Sequence, residues 1–360
     1  MIPANNGRSS NGGPAIPWEV PVRVAVVGLG YWGPNLVRNL FELPSAEVSR
    51  ICDARPTQLN ALTSRYPGLR RTTSYDELLA DRSVEAIAIA TPVSTHFDLA
   101  TKALEAGKHV FVEKPLAGSA AEAQALRELA AANELVLMPG HTFLYSPPVN
   151  VIRSLIESGD LGDVYFISTS RVNLGLHQSD VSVAWDLGPH DFSILRYWLN
   201  ETPTHVTALS RACVMPDTPD VAFINLEFPS GTIAHVELSW LAPSKLRRTT
   251  IVGSERMVVY DDTSNEPVRI FDSGASLPNP ETFGEYKMTY RTGDIISPRV
   301  EVAEPLYLEL ADFCSSIRSK RQPRSSAHVG VEVVRIIEAV DLSLAQNGAR
   351  VRLEPAVAVA

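Results

Sequence analysis

Two short stretches of the sequence carry side chains that could move a proton. Lys114 stands in Glu113-Lys114-Pro115, where its ammonium group could donate to a substrate hydroxyl and stabilise the alkoxide. Asp186 and His190 are four residues apart, so on a helix they would share a face, and a carboxylate beside an imidazole supports acid–base catalysis. Each stretch also has an ordinary interpretation: a surface turn for the first, a helix cap and a packed histidine for the second. A metal centre is not predicted, because one Asp/His pair gives too few ligands and no HExxH or Cys/His cluster occurs.

Residues 22–53 combine a strand, a glycine-rich turn and a helix in one run. An apolar, β-branched segment leads into Gly28-Leu29-Gly30-Tyr31-Trp32-Gly33, and an apolar helical face and a second apolar run follow. Such glycines allow a tight turn, a close approach to a pyrophosphate and close packing of helix on strand, while the helix N-terminus attracts the phosphates. Asp53, about 20 residues further on, is placed for the ribose hydroxyls. The run therefore predicts NAD binding, and the neighbouring Arg55 leaves NADP open because an arginine can accept a 2′-phosphate.

Strands and helices alternate over the first 140 residues, which predicts right-handed βαβ units and a parallel sheet. Apolar strand patterns occur at 86–90, 109–112 and 135–138. Functional groups in such sheets gather at the carboxyl ends of strands. The residues predicted to lie at these ends are Gly28, Asp53, Thr91, Pro92, Glu113 and Lys114.

The pattern changes near residue 140, which predicts a second domain. Strands at short intervals indicate an open, mainly antiparallel sheet with helices on one face. These strands are expected at 164–172, 204–212, 220–228, 231–240, 246–252 and 256–260. Residues 262–299 are expected to form a structureless insertion, either a functional loop or an interaction arm. The predicted fold class is α/β, with a doubly wound Rossmann domain followed by an α+β domain for substrate and oligomerisation. The predicted bounds are 1–19 for a disordered leader, 20–140 and 141–353 for the domains, and 354–360 for a tail.

Composition excludes several classes of protein. The chain has 360 residues, 45% of them hydrophobic and 20% charged, which is typical of a globular protein. A net charge of −9 argues against nucleic acid as the main partner. No apolar run approaches the roughly 20 residues of a membrane helix, and residues 1–19 lack the apolar segment of a secretion signal. With only three cysteines and no CxxC, a cytoplasmic location is expected.

Several of these motifs together resemble the glucose–fructose oxidoreductase, inositol dehydrogenase and MocA family. The resemblance runs from about residue 20 to 353 and rests on GLGYWG with Asp53, TPVSTH at 91–96, EKP at 113–115 and the D-x-x-x-H of Asp186 and His190. It implies NAD(P)-linked oxidation or reduction of a sugar or cyclitol carbinol, and oligomers formed through the open sheet. The cofactor contacts that follow are Gly28, Gly30, Tyr31, Trp32, Gly33, Asp53, Thr91, Pro92, His96, Glu113 and Lys114.

Within that family, HTFLYSPPV at 141–149, RVNLG at 171–175 and WDLGPHD at 185–191 resemble the branch of sugar-nucleotide pathways, including UDP-sugar 3-dehydrogenases. In the family small residues often precede the aspartate, whereas this chain has Trp185. The difference affects the prediction of the substrate and not that of the fold. The candidate substrate contacts, expected at the domain junction, are Tyr145, Arg171, Asn173 and His177.

The predicted activity is hydride transfer between a nicotinamide and a sugar carbon that bears a secondary hydroxyl, at C3 of a nucleotide-linked sugar in the most specific form. In this hypothesis His190, oriented by Asp186, takes the hydroxyl proton and Lys114 hydrogen-bonds the same oxygen, and these two could exchange roles. The resemblance places all three in the catalytic pocket. The alternatives are an inositol or free-sugar dehydrogenase, and a non-catalytic sensor like the family's galactose-pathway repressor relatives. A homodimer or homotetramer is expected.

Overall fold

The first sheet is parallel and has the strand order of a dinucleotide-binding domain. The computed structural model describes residues 20–175, 181–276 and 289–353. The strands of this sheet are β1 (Val22–Val27), β2 (Ala46–Cys52), β3 (Arg71–Thr72), β4 (Ala86–Ile89), β5 (His109–Glu113) and β6 (Leu137–Gly140). They are arranged β3-β2-β1-β4-β5-β6, and neighbours run parallel. The order reverses between β1 and β4, so a crevice opens beyond their carboxyl ends. The predicted Rossmann sheet is confirmed.

The helices of this half differ at their N-termini in a way that matters for binding. They are α1 (Gly33–Glu42), α2 (Pro56–Arg65), α3 (Tyr75–Ala80), α4 (His96–Glu105) and α5 (Ala120–Ala132). Ser74 caps α3 and Ser119 caps α5 by accepting backbone N–H groups. Helix α1 has no side-chain cap and no acidic residue in its first turn. Its N–H groups and positive dipole end therefore remain available to an anion.

The second sheet is mixed and mostly antiparallel, as predicted. Its strands are β7 (Val164–Leu174), β8 (His205–Arg211), β9 (Val221–Glu227), β10 (Ile233–Ser239), β11 (Leu241–Gly253), β12 (Met257–Asp261), β13 (Val268–Ser276), β14 (Thr289–Ile296) and β15 (Val351–Arg352). They are arranged β14-β13-β12-β11-β7-β10-β9-β8-β15. Strand β10 runs parallel to β7, and the other neighbouring pairs run antiparallel.

The prediction of a structureless arm at 262–299 was wrong where the structure describes it. Strands β13 and β14 lie in this range and extend the sheet beyond β12. Val268 and Ile270 alternate with polar residues and are 0% and 7% exposed, so only one short apolar face marks the strand. Strand β14 lies at the edge and is exposed, which explains its polar sequence. An alternation of apolar and polar residues this short is hard to recognise in a sequence rich in Gly, Pro and Ser.

The remaining helices are α6 (Pro147–Glu157), α7 (Val183–Leu199), α8 (Pro305–Ser319) and α9 (Ala327–Ala345). Helices α6, α7 and α9 form a core with one face of the second sheet. Helix α8 returns to the first sheet, where Leu310, Phe313 and Cys314 share a core with Val24 and Phe111. Packing therefore crosses the limit predicted at residue 140, and the domain bounds stay a prediction. None of the described helices is long and apolar enough to span a bilayer.

Candidate active site

Helix α7 carries both predicted acid–base residues and continues through an unusual Gly-Pro pair. Pro189 lies inside the helix and has no N–H to donate to the carbonyl four residues earlier. A Cβ on Gly188 would lie 2.7 Å from the Phe192 ring, so only glycine lets this ring pack there. The helix places Asp186 and His190 near the end of β5, where Lys114 lies.

Lys114 is anchored by Asp186. Its Nζ donates to the Asp186 backbone carbonyl at 2.6 Å and to Asp186 Oδ1 at 2.8 Å. The other carboxylate oxygen, Oδ2, accepts from Trp240 Nε1 at 3.1 Å. The ammonium group has three N–H bonds, so one remains for a substrate oxygen. Both side chains of the ion pair are slightly exposed, 18% for the lysine and 17% for the aspartate.

The expectation that Asp186 orients His190 was wrong. The carboxylate bonds Lys114 and Trp240, whereas His190 Nδ1 is buried without a hydrogen-bond partner in the described part of the chain. The four-residue spacing correctly indicates a shared helix, but a lysine from the first sheet reaches Asp186. An ammonium group competes well for a carboxylate because charge-assisted hydrogen bonds are the stronger ones.

His190 is kept neutral by its surroundings. Burial lowers its pKa well below the usual value, and the positive charges of Lys114, Arg171 and Arg247 lower it further. Its ring meets the Phe143 ring edge-on, with 5.0 Å between centroids. The residue is partly exposed although Nδ1 is buried. Of the two ring nitrogens only Nδ1 is among the buried atoms without a partner, so Nε2 is the nitrogen placed to accept a proton from the cleft.

The glycine turn fits a dinucleotide. Gly28 has φ +87°, and a Cβ there would lie 2.6 Å from the Ala90 carbonyl oxygen. A Cβ on Gly33 would lie 2.0 Å from the Gly28 carbonyl oxygen, so helix and strand pack as closely as a glycine allows. Nothing lies within 3.9 Å of a Cβ on Gly30 except Arg55 at that distance. The turn thus offers bare backbone beside the uncapped end of α1, which is what a pyrophosphate requires.

Asp53 lies at the end of β2 with its carboxylate already bonded. Its oxygens accept from the backbone N–H of Leu29 at 2.7 Å and of Arg55 at 2.8 Å. Burial acts to raise the pKa of Asp53, but the hydrogen bonds from Arg55 and Leu29 outweigh it and hold this pKa below its usual value. The Arg55 side chain is 60% exposed and lies 3.1 Å from the carboxylate. An anion and an exposed cation therefore share the position expected for the ribose.

His96 does not contact a cofactor through its ring. It is 1% exposed, with Nδ1 at 2.8 Å from the Pro115 carbonyl oxygen and Nε2 at 2.9 Å from that of Thr91. It joins the ends of β4 and β5, so the prediction of a direct contact is corrected to a positioning role. Thr91 and Pro92 do lie at the end of β4 beside the glycine turn.

The remaining cofactor candidates lie around the turn. Tyr31 is 82% exposed, and its ring stacks on Trp32 with 6.4 Å between centroids. The Trp32 side chain hydrogen-bonds Glu113, and burial raises the pKa of Glu113 to about 7. Their contacts with a dinucleotide stay predictions.

The structure corrects two of the four predicted substrate contacts. Tyr145 is 4% exposed, and its hydroxyl donates to Asp312 and accepts from the Ser325 N–H. Arg171 is 4% exposed and pairs with Asp191 at 2.6 Å. Both predictions are therefore corrected: these two side chains support the structure. Asn173 is partly exposed near the end of β7 and stays a prediction, while His177 lies outside the described residues.

Sequence reasoning missed Trp240, Phe143 and Arg247. Trp240 is 1% exposed and bonds Asp186, and Gly175 is the residue that allows it, because a Cβ there would lie 2.4 Å from the indole. Phe143 lies beneath the guanidinium groups of Arg171, at 4.6 Å, and Arg247, at 5.6 Å. The sequence signal for this group was limited to the motifs RVNLG, which contains Gly175, and HTFLYSPPV, which contains Phe143. Trp240, Phe143 and Arg247 each contact residues that are distant in sequence.

Comparisons with known proteins agree with the geometry. Residues 22–141 match the oxidoreductase family with an NAD-binding Rossmann fold, and residues 149–259 match the GFO/IDH/MocA C-terminal domain. The chain is 28% identical to the scyllo-inositol 2-dehydrogenase (NAD(+)) of Bacillus subtilis, covering 85% of this chain and 89% of that protein. It is 25% identical to the UDP-N-acetylglucosamine 3-dehydrogenase of Acidithiobacillus ferrooxidans, covering 89% and 99%.

The fold is shared with a solved structure that contains the cofactor. GenD2 from gentamicin A biosynthesis, in complex with NAD, superposes with a TM-score of 0.79 over 99% of this chain and 100% of its own, at 24% identity. At that identity the likeness concerns the fold alone. With the two sheets, the bare glycine turn and both domain matches in agreement, the chain belongs to the Gfo/Idh/MocA family of NAD-binding oxidoreductases.

Proposed function

We propose that this protein is an NAD-dependent dehydrogenase that interconverts a secondary hydroxyl of a sugar with the corresponding ketone. The observation that carries the proposal is the anchored ammonium of Lys114 close to a neutral His190 at the carboxyl end of the Rossmann sheet. The two residues are near enough for the lysine charge to lower the histidine pKa. Relatives named as dehydrogenases of inositol and of a UDP-sugar support the substrate class.

The residues divide the chemistry between them. The bound nicotinamide supplies the hydride acceptor or donor, and Gly28, Gly30, Gly33 and Asp53 would hold the dinucleotide. His190 Nε2 takes the hydroxyl proton of the substrate. The free N–H of Lys114 donates to the same oxygen and stabilises its negative charge, and Asp186 keeps the amine in place.

The substrate is most specifically proposed as a nucleotide-linked sugar that is oxidised at C3. Support comes from the relative that acts, by its name, on UDP-N-acetylglucosamine at position 3 and from the positive charges of Arg247 and Lys114 around His190. Free inositols are the second candidate, because a scyllo-inositol dehydrogenase is also similar.

In the direct test, the protein and NAD are incubated separately with UDP-N-acetylglucosamine, scyllo-inositol, myo-inositol and each of a set of free sugars. The absorbance of the reduced nicotinamide is recorded in each reaction. Turnover of the UDP-sugar alone is the expected result, and turnover of an inositol alone would replace the specific substrate. Silence of the whole panel despite tight NADH binding would contradict the enzyme and favour a sensor.

The choice of dinucleotide follows from Asp53. A carboxylate that accepts two backbone N–H groups stays ionised and repels a 2′-phosphate. We therefore expect a lower Kd for NADH than for NADPH by fluorescence titration. The variant Arg55→Ala removes the cation beside Asp53 and should increase the preference for NADH. A lower Kd for NADPH than for NADH in the native chain would overturn the expected preference.

We also infer association through the second sheet. Its face away from the helices exposes large apolar side chains, 45% for Phe166, 63% for Leu209, 42% for Phe223 and 54% for Ile233. Apolar surface of this kind in a protein of this family points to a subunit interface. Light scattering should give a dimer or tetramer, and Phe223→Glu should shift the mass toward the monomer. A monomeric native chain would contradict the inference.

A further inference from the structure

Behind the exposed edge of His190 lie buried polar atoms that have no hydrogen-bond partner within the described ranges. They are His190 Nδ1, both ring nitrogens of His141, and Oε1 of Glu113 and of Glu309. The side chains of His141 and Glu309 are 0% exposed. An unpaired buried polar atom costs about 1–3 kcal/mol, and polar interiors normally satisfy such atoms with ordered water. Five such atoms in one region therefore indicate a water-linked polar path.

The consecutive residues Gly140, His141 and Thr142 connect the groups of this path. Glu113 pairs with Gly140 across β5 and β6, and a Cβ on Gly140 would lie 3.1 Å from Glu113 Oε2, so the carboxyl group rests on the glycine. His141 follows directly. Thr142 Oγ1 then donates to Glu309 Oε2 at 2.6 Å. One short segment therefore has two carboxyl groups and an imidazole along it.

The reaction needs a proton exit. Oxidation of a carbinol removes a hydride from carbon and a proton from oxygen, and forms the carbon–oxygen double bond. The hydride goes to the nicotinamide, so each turnover leaves one proton on His190. The positive charges of Lys114, Arg171 and Arg247 oppose an imidazolium there. A ring that gains a proton at Nε2 and releases another at Nδ1 changes tautomer and carries no lasting charge.

Resting on the dehydrogenase function proposed above, we propose that the carbinol proton leaves inward, from His190 Nδ1 through His141 to Glu113. Glu309 is the partner that shares the proton with Glu113. Glu113 lies at the end of β5, where the residue is partly exposed although its Oε1 is buried, and in this scheme the proton reaches solvent there. In this scheme His141 is a relay and does not touch the substrate.

The electrostatics agree with these roles. Burial lowers the pKa of His141 to about 3, and Lys114 and Arg196 act in the same direction, so its ring passes a proton on and does not store it. Burial raises the pKa of Glu113 to about 7, which suits an acceptor at neutral pH. Burial and the charge of Glu113 raise the pKa of Glu309 well above its usual value, so it is the protonated member.

The charged and titratable groups around the path come from four elements. Lys114 after β5 and Arg196 on α7 act on His141, and Asp312 on α8 acts on Glu309. His141 in turn acts on His190 on α7, and Trp32 in the glycine turn contributes a neutral hydrogen bond to Glu113.

The first test needs no substrate. The protein is labelled with ¹⁵N-histidine, saturated with NAD, and the tautomer of His190 is measured by NMR at neutral pH. The proposal requires hydrogen on Nδ1, since Nε2 must be free to accept, and requires His141→Phe to shift this tautomer toward hydrogen on Nε2. Hydrogen on Nε2 in the native protein would overturn the relay, whether or not the variant folds. The matched control is His328→Phe, an exposed histidine on α9, which should leave His190 unchanged.

The second test uses the compound that the panel identifies as substrate. Hydride transfer in the first turnover should stay near the native rate in His141→Phe, whereas steady-state turnover of this variant falls by about 10²-fold and recovers with added imidazole. The rise of kcat with pH near 7 should disappear in Glu113→Gln. Equal loss in both phases, or native turnover in both variants, would overturn the relay. If no compound reacts, the proposed function fails, and the NMR result still decides the relay.

Discussion

Two ion pairs flank His190 on the same helix, and they differ mainly in burial. Lys114 and Asp186 are joined at 2.8 Å with side chains 18% and 17% exposed, whereas Arg171 and Asp191 are joined at 2.6 Å with side chains 5% and 3% exposed. In both pairs each carboxylate oxygen is bonded, and in the inner pair one of them also accepts from Thr169. Arg171 Nη1 has no partner among the described residues, but it is buried. In the outer pair the ammonium keeps a free N–H. We therefore assign a structural role to the buried pair, and the chemical role of the pair at the cleft stays a proposal.

The physical reason is solvation. A buried charge that loses its partner has no water to replace it, so breaking such a pair is strongly destabilising. At the cleft, water reaches the remaining partner, and the loss in stability is small. Four measurements test this contrast between the inner and the outer pair.

The largest effect on folding is expected at the inner pair. Arg171→Met leaves the Asp191 carboxylate buried without its cation, and should lower the free energy of unfolding by about 3–5 kcal/mol in urea denaturation. The double variant Arg171→Met/Asp191→Leu removes both charges and should recover most of that loss. If Arg171→Met alone were as stable as the native chain, the proposed difference between the inner and the outer pair would be contradicted.

The outer pair should show the opposite profile. Lys114→Met removes the donor to the substrate oxygen, so kcat should fall by about 10²–10⁴-fold while the Kd for NADH changes little. The free energy of unfolding should change by only about 1 kcal/mol, because the pair is partly exposed. Native turnover in this variant would remove Lys114 from the mechanism.

Beside the outer pair, stability should depend on pH through Glu113. Its pKa in the folded chain is about 7, above the usual 4.5, so the folded state binds more protons between these values and stability falls as pH rises from about 4.5 to 7. The fall amounts to about 3 kcal/mol at 1.36 kcal/mol per unit. Urea denaturation of the cofactor-free protein should show this loss, and Glu113→Gln should abolish the Glu113 contribution. An identical pH dependence in the variant would contradict the raised pKa.

The smallest effect is expected at the support of Asp186. Trp240→Phe removes the indole N–H that donates to Asp186 Oδ2 and keeps most of the apolar contact. One hydrogen bond to a charged group contributes about 1.5–3 kcal/mol, and water at the cleft should replace part of it. We expect a decrease in kcat of about tenfold or less with KM unchanged. A loss as large as that of Lys114→Met would mean that the tryptophan, and not the lysine, controls the outer pair.

The first half of the fold followed from the sequence because its signals are local. Neighbouring residues in the sequence are enough to recognise the glycine turn, the strands at 86–90 and 109–112, and Asp53. The parallel sheet then places these features at one edge. In the second half, β13 and β14 were missed because β13 has only one short apolar face and β14 is an exposed edge strand.

The site was predicted as a set of residues but not as a set of contacts. Asp186 and His190 share α7 as the spacing indicates. The partners of Asp186 are distant in sequence: Lys114, directly after β5, is 72 residues away, and Trp240 is 54 residues away. Tyr145 and Arg171 looked like substrate contacts because they lie at the domain junction, where their partners Asp312 and Asp191 bury them. Local spacing gives the helix face, whereas distant residues decide what that face meets.

The most direct measurement is a crystal structure of the protein with NAD and the compound identified by the panel. We expect one oxygen of that compound to lie within about 2.6–3.2 Å of both Lys114 Nζ and His190 Nε2. The carbon that bears this oxygen should face the nicotinamide at about 3–3.5 Å. An oxygen bound by only one of the two residues, or a His190 ring turned with Nε2 away from the cofactor, would contradict the shared acid–base site.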